Sequence, residues 1–227
     1  MGRGRSQCGS GGGASIQYSV IQVVGGLLWA AFPVFMACMS LPYRVATLLY
    51  CFNEQDEVLL LQRAKEPNRE LWSPSGGKLD TGGGESPYRC ACREAREELG
   101  LAIQPSELHL TGIVSEHGYE GEAHWLMFLF EVKPRLKSLP PPHREGIFKF
   151  FARAELGQVK IPQTDRERIW PMFWEHRGGF FAAHCDCKAD GTNVWTIEET
   201  VFGGDSSSKN SIPGPMATSQ KMAVEDA

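Results

Sequence analysis

Three glutamates, Glu94, Glu97 and Glu98, recur at i, i+3 and i+4 just beyond a glycine-rich run, in the segment GKLDTGGGESPYRCACREAREELGL that spans Gly77 to Leu101. On a helix this spacing stacks the three carboxylates on one face. Like charges so placed repel, and the arrangement costs local stability unless a cation sits among them. Hard divalent ions such as Mg²⁺ take oxygen ligands and bridge to substrate phosphates, so the chemistry indicated is metal-assisted work on a phosphate. The competing account is a solvated helix face on which Arg93 and Arg96 pair locally with the acids.

The helix itself is well signalled. Ser86 can cap free amides and Pro87 is tolerated at a first helical position. Tyr88 to Leu99 contains neither Gly nor Pro, and Gly100 stands where a left-handed residue closes a helix. Glu85, immediately before the cap, falls between the glycine loop and the helix.

These residues resemble the Nudix box: a glycine, a glutamate, then an R-E-x-x-E-E-x-G core followed by an aliphatic residue. Glu85, Arg93, Glu94, Ala95, Glu97, Glu98, Gly100 and Leu101 stand in register with it. At roughly 7% usage each, the fixed Glu, Arg and Gly positions would coincide by chance with a probability of order 10⁻⁵ to 10⁻⁴. One departure is visible, since seven residues separate Gly77 from Glu85, more than the family's usual spacing. Gly82, Gly83 and Gly84 read as a lengthened loop tip, which threatens to displace the Gly77 carbonyl.

The resemblance implies hydrolysis of a nucleoside diphosphate-linked substrate by water with Mg²⁺, Mn²⁺ being an alternative. It implies Glu97, Glu98 and the Gly77 carbonyl as metal ligands. Glu94 either binds metal or takes the proton from the attacking water. Glu85 and Arg93 pair to hold the acid face. Lys78 either reaches a phosphate or is a solvated loop lysine. In many family members a further carboxylate from a distant loop completes the metal shell or serves as base, and Glu116, Glu120 and Glu122 are the candidates.

The segment IPQTDRERIWPMFWEHRGGFF, Ile161 to Phe181, resembles the C-terminal segment of MutT-type diphosphatases acting on oxidised purine nucleoside triphosphates. In those enzymes paired aspartates bond the purine edge and a tryptophan stacks on it. Here Ile161 stands in the tryptophan's place and Asp165 alone offers a carboxylate. Trp72 and Trp125 are alternative stacking residues, set against a core role for each. Tyr119 lies where dinucleoside polyphosphate hydrolases often carry a tyrosine. The expected substrate is thus a purine nucleoside triphosphate, oxidised or not, cleaved to monophosphate and pyrophosphate. Dinucleoside polyphosphate or ADP-ribose hydrolysis, or a non-catalytic nucleotide sensor, are the alternatives.

The elements that must position these groups are mainly strands. Tyr43–Phe52 and Glu57–Arg63 read as a hairpin about Asn53–Asp56, and Leu71–Leu79 leads to the box helix. Leu108–Glu116, His124–Val132, Ile147–Phe151, Gly179–Cys187 and Asn193–Phe202 read as further strands. A second amphipathic helix runs from Asp165 to His176, kinked or started late by Pro171. The order matches what the resemblance implies, an α/β/α sandwich with a mixed, partly closed β-sheet. It covers residues 43–202.

The chain has 227 residues, 42% of them hydrophobic, and its 23 basic against 27 acidic residues give no reason to expect a duplex nucleic-acid partner. A small-molecule nucleotide is the expected partner, and a homodimer is left open. Seven cysteines, none in a Cys-x-x-Cys pair, argue for a reducing, cytoplasmic setting. His184, Cys185 and Cys187, with His176 the obvious recruit as fourth ligand, are a weak zinc pattern and read as ordinary strand or rim positions. Residues 1–42 form an apolar leader, uncharged between Arg5 and Arg44, in which residues 20–41 could span a bilayer. Three readings compete: a signal sequence, a membrane anchor with the domain in the cytoplasm, or translation starting at Met36 or Met39. A membrane is a partner only if this leader is retained. Residues 203–227 have the composition of a disordered tail.

Overall fold

The computed structural model describes residues 41–66, 68–141 and 144–204. The apolar leader up to residue 40 and the tail from residue 205 lie outside the described residues. The described strands are β1 (Tyr43–Tyr50), β2 (Val58–Arg63), β3 (Trp72–Ser73), β4 (Ser75–Lys78), β5 (Leu108–Tyr119), β6 (Ala123–Val132), β7 (Gly146–Phe151), β8 (Phe180–Cys187) and β9 (Asn193–Val201). The helices are α1 (Pro87–Leu99) and α2 (Trp170–Glu175).

The strands make a six-stranded mixed sheet, ordered β4-β1-β6-β5-β8-β9, and a three-stranded sheet, ordered β3-β2-β7. Strands β1 and β6 run parallel, as do β5 and β8; the other pairings are antiparallel. The expected β1–β2 hairpin is corrected in one respect. The Asn53–Asp56 turn forms, but β1 is already paired on both edges by β4 and β6, so β2 has no edge to join and enters the second sheet. A single bridge between Phe52 and Val58 marks the crossing. Pro74, between β3 and β4, makes the reverse crossing.

Alternation along β1 sends Tyr50 to one face of the sheet and Leu49 to the other. Tyr50 joins Val114, Leu129, Phe173 and Phe181 in one core cluster, stacked on Phe173 at 4.1 Å between ring centroids. Leu49 joins Phe130, Ala91, Ala95 and Leu99 in the cluster beneath α1. Small residues at positions 91 and 95 let α1 lie close on the sheet, and overpacking there, as in Ala95→Leu, costs about 1–3 kcal/mol. Helix layers on both faces of the sheet give the α/β/α sandwich expected from the sequence.

The two helices start and stop for local reasons. The Ser86 Oγ accepts the Arg89 N–H at 3.3 Å, and Gly100, at φ 68°, closes α1 with its N–H on the Ala95 carbonyl. Ahead of α2, Asp165–Ile169 forms one wide π-helical turn in which the Trp170 N–H reaches back to the Asp165 carbonyl. The expected irregularity at Pro171 takes this form, and the turn carries Asp165 and Ile169 into the interior.

Candidate active site

Strand β4 brings backbone to within reach of the acid face because its two central residues, Gly76 and Gly77, have no side chains. At Gly76, φ is 150° and a Cβ would collide with the Thr47 carbonyl; at Gly77, the Glu94 carboxylate fills the space a Cβ would take. The Gly76 N–H donates to Glu98 Oε2 at 3.1 Å. Glu94 and Glu98 are therefore buried against the strand, while Glu97, one position along the same face, is exposed.

The lengthened loop does not disturb this register. Its extra residues close on themselves: Gly83 N–H donates to Asp80 Oδ1 at 2.9 Å, Asp80 N–H to Glu85 Oε2 at 2.9 Å, and Gly84 takes φ 67°. Gly77 stays opposite Thr47 within β4.

Arg93 ties the parts together. Its Nε and one terminal nitrogen donate to the two oxygens of Glu85 at 2.9 and 3.0 Å, while its other terminal nitrogen donates to Glu94 and, at 3.2 Å, to Glu97. It also bonds the Lys78 carbonyl at 3.2 Å. The hydrogen bonds from Arg93 hold the Glu85 carboxyl down to about 2. Burial raises Glu94 against the pull of Arg93, and burial with the Glu94 charge pushes Glu98 up to about 7. With Glu85 and Glu145 beside it, the helix face carries more carboxylates than Arg93, and Arg63 near Glu98, can neutralise.

Among the described residues, no three carboxylate, imidazole or thiol groups surround a common point closely enough to cage an ion as they stand. Arg93 engages Glu94 and Glu97, and the Gly76 amide engages Glu98. The donor set beside them is nonetheless all oxygen, three carboxylates against glycine backbone, which fits a hard divalent ion rather than a soft one.

This face lines a cleft of about 430 Å³. Gly77, Lys78, Trp125 and Tyr119 line it, and the Lys78 ammonium lies 5.8 Å from the Trp125 ring centroid. Glu116, from β5, and Asp165, from the wide turn, also line it. Burial and the nearby Glu116 charge push Asp165 up to about 8; burial pushes Glu116 up to about 7 against a hydrogen bond from Thr164. The Oε1 of Glu116 is buried without a hydrogen-bond partner among the described residues. The Tyr119 hydroxyl donates to Asn68 Oδ1 at 2.8 Å beside this pair.

Several expectations need correction. Trp72 stands outside the cleft lining, edge-on to Phe151 at 4.9 Å, because β3 faces the core there. Of the further carboxylates, Glu116 lines the same cleft and its charge raises Asp165, whereas Glu120 and Glu122 are absent from that lining. The acid that does join the face is Glu145, whose charge raises both Glu94 and Glu98. Its position is set by Gly146, where a Cβ would strike the Gln62 carbonyl, so the chain hugs β2 as it enters β7. An acid directly before a strand-opening glycine was its only signal in the sequence. His184, Cys185 and Cys187 do not converge: the two sulfurs meet at 3.7 Å, while His184 faces away to bond Ser115 at 2.7 Å. His176 is buried beside Phe181.

No described helix is long and apolar enough to cross a membrane.

Comparison with known proteins places this geometry. The family model of the NUDIX domain matches residues 42–172, more than half the chain. The chain is 32% identical over 126 residues to an RNA pyrophosphohydrolase from Rhizobium meliloti, covering 47% of this chain and 74% of that protein. It is 38% identical over 82 residues to the 8-oxo-dGDP phosphatase NUDT18 of Mus musculus, covering 36% of this chain and only 23% of that protein. In three dimensions it resembles a MutT protein from Bacillus halodurans, with a TM-score of 0.54 at 23% identity, over 68% of this chain and 97% of that one.

Proposed function

Since the chain belongs to the Nudix family, we propose that it is a divalent-metal-dependent pyrophosphohydrolase of purine nucleoside triphosphates, oxidised purines among them, releasing the monophosphate and pyrophosphate. The observation that carries this reading is the carboxylate face of α1, packed on the glycine backbone of β4, only partly offset by Arg93 and Arg63, and lining a cleft of about 430 Å³. Nudix hydrolases generally use a divalent metal, and Mg²⁺ is the ion we assign here.

Glu97, Glu98 and the Gly77 carbonyl would hold the ion, with Glu145 the further carboxylate and Glu94 either a ligand or the acceptor of the water's proton. A bound ion supplies positive charge where negative charge builds on the phosphate oxygens. Glu85 and Arg93 act as positioning residues: their paired contact fixes the loop against α1 and keeps Glu94 and Glu97 on the cleft side. Lys78, on the cleft wall, places its ammonium toward a phosphate. The reaction is addition of water across one phosphoanhydride, with the new P–O bond on the nucleotide side and pyrophosphate leaving.

Glu116 and Asp165 are assigned to the base. A buried pair of coupled carboxyls holds a proton near neutral pH, so one group donates while the other accepts. That complements a purine edge carrying both an acceptor and a donor, and the orphaned Glu116 oxygen requires such a partner. Ile161 is buried where the resemblance would place a stacking tryptophan, so aromatic contact falls instead to Trp125 or Tyr119.

The test is a hydrolysis screen of the purified chain with Mg²⁺ against purine nucleoside triphosphates, their 8-oxo forms, ADP-ribose and diadenosine polyphosphates. We expect triphosphates to be cut, and Glu98→Gln to lower turnover about 10²- to 10⁴-fold with the fold intact. Equal turnover by Glu98→Gln and the native chain would sink the assignment. Nucleotide binding without any cleavage would identify a sensor instead.

A further inference from the structure

The face of β5 and β8 turned away from the cleft carries a group of side chains that hydrolysis leaves without a task. Alternation decides which residues stand there. Glu116 and Trp125 line the cleft, so their strand neighbours Ser115, His117 and His124 project from the reverse face. Strand β8 runs in parallel register with β5, with Ser115 opposite His184 and His117 opposite Asp186. Register partners share a face, so His184 and Asp186 join the group.

Three of these groups converge. The Asp186 Oδ1 lies 3.3 Å from His117 Nδ1 and 3.7 Å from His184 Nε2. Both spacings are longer than an N–H···O hydrogen bond, about 2.7–3.2 Å. They bracket instead the separation of two ligands on one tetrahedral ion, about 3.4 Å for bonds of about 2.1 Å.

Each ring is oriented from its far side. His184 Nδ1 lies 2.7 Å from Ser115 Oγ. With its proton on Nδ1 the ring donates to that hydroxyl and keeps the Nε2 lone pair for an ion, the arrangement usual for ligating histidines. His117 stacks on His124 at 4.7 Å between centroids, with 9° between the planes. His124 is in turn fixed by accepting the Gly118 N–H on Nδ1 at 3.0 Å. That bond occupies the Nδ1 lone pair and leaves the proton on Nε2, so His124 is a backing ring rather than a ligand. Lys188 lies 3.8 Å from the other Asp186 oxygen, Oδ2, which leaves Oδ1 to the imidazoles.

As they stand the three groups do not enclose a common point, and a small inward turn of the rings closes the set. His117 is exposed and His184 and Asp186 are half-exposed, so an ion enters from solvent without opening the core.

We propose that His117 Nδ1, His184 Nε2 and Asp186 Oδ1 form a binding site for a borderline divalent ion, Zn²⁺ foremost, with a fourth position left to water. Two imidazoles and one carboxylate suit such an ion and disfavour Mg²⁺, which takes oxygen. The site is separate from the α1 acids and takes a different class of ion. It ties β5 to β8 one residue from Glu116, on the reverse side of the sheet.

The experiment is a calorimetric titration of the full chain with Zn²⁺ in excess Mg²⁺, which occupies the acid face; one ion should bind per chain. Co²⁺ in its place should give the strong visible absorption of a four-coordinate ion. His117→Gln and Asp186→Asn, with circular dichroism reporting the fold, should each weaken Zn²⁺ by at least about 100-fold. Ser115→Ala, which removes only the orienting hydroxyl, should cost about 10- to 100-fold. Cys187→Ser should leave the affinity unchanged. No uptake of Zn²⁺ by the native chain, or uptake that both ligand substitutions leave intact, would overturn the inference, as would the weak absorption of octahedral Co²⁺. Binding lost in Cys187→Ser but kept in His117→Gln would overturn it too, placing the ion on the Cys185 and Cys187 thiols, 3.7 Å apart.

Discussion

Arg177 and Arg93 each grip one carboxylate with two nitrogens and reach others, yet the charge around them differs. Arg177, just past α2, holds both oxygens of Asp56 at 2.8 and 2.9 Å and Glu131 at 2.8 Å, and Arg135 joins Asp56 at 3.1 Å. Two guanidiniums face two carboxylates, and Arg177 also lies 4.0 Å over the Phe52 ring centroid. That cluster is neutral and backed by the core, so it clamps the C-terminal helix to the β1–β2 turn. Around Arg93 one guanidinium pairs with Glu85, Glu94 and Glu97, while Glu98 and Glu145 lie alongside with Arg63 offsetting part of the charge on Glu98, so five carboxylates face two guanidiniums. The same residue types yield a structural clamp where charges cancel and a ligand-demanding surface where they do not.

The sharpest break of this comparison is a pair of deletions. Arg93→Ala should cost about 10²- to 10³-fold in kcat, because Glu85, Glu94 and Glu97 lose the group that orders them, while Arg177→Ala should leave kcat of the folded protein within about 2-fold. Steady-state kinetics on both variants decides it; equal losses would mean the Arg93 cluster is a clamp as well. In denaturant unfolding the order should reverse, with Arg177→Ala losing about 1–3 kcal/mol, chiefly because the mostly buried Glu131 is left without its partner, Asp56 keeping Arg135.

A smaller effect concerns pH. The folded pKa values of Asp165 and Glu116 are raised, so the folded state keeps protons that the unfolded chain releases. Their contribution to stability is full below the unfolded carboxylate range, near pH 4, and is lost as pH rises to about 8 and about 7 respectively. Asp165→Asn should flatten that decline and stabilise the protein at pH 8 by about 2–3 kcal/mol, read from urea unfolding at pH 5 and 8. An unchanged pH profile would show that the pair is not coupled to folding. The sign is opposite for Asp56, whose pKa is lowered chiefly by its hydrogen bond to Arg177. Its stabilisation is present above the unfolded value and disappears as pH falls through the folded one. Asp56 is half exposed, so screening limits the effect to a few tenths of a kcal/mol.

The smallest test sharpens the charge argument. Millimolar Mg²⁺ should raise stability by about 1–2 kcal/mol in the native chain and by nothing measurable in a Glu97→Gln/Glu98→Gln variant, followed by thermal unfolding. Glu131→Gln, in the neutral cluster, should retain the full Mg²⁺ response.

What the sequence by itself determined is local. The α1 boundaries, the i, i+3, i+4 acid face and the Glu85–Arg93 pairing follow from helix periodicity, capping residues and a motif, all within one continuous segment. The strands too were legible, because alternation and turn residues act over a few positions. Tertiary structure alone decided which distant groups meet. The β1–β2 pair was split because β1 has two edges and both were taken. Trp72 went to the core, Glu145 came to the acid face through a close glycine contact with β2, and Glu116 met Asp165 because a wide helical turn rolled that aspartate inward. Such encounters depend on sheet order and on the packing of segments far apart in the chain, which no local pattern encodes.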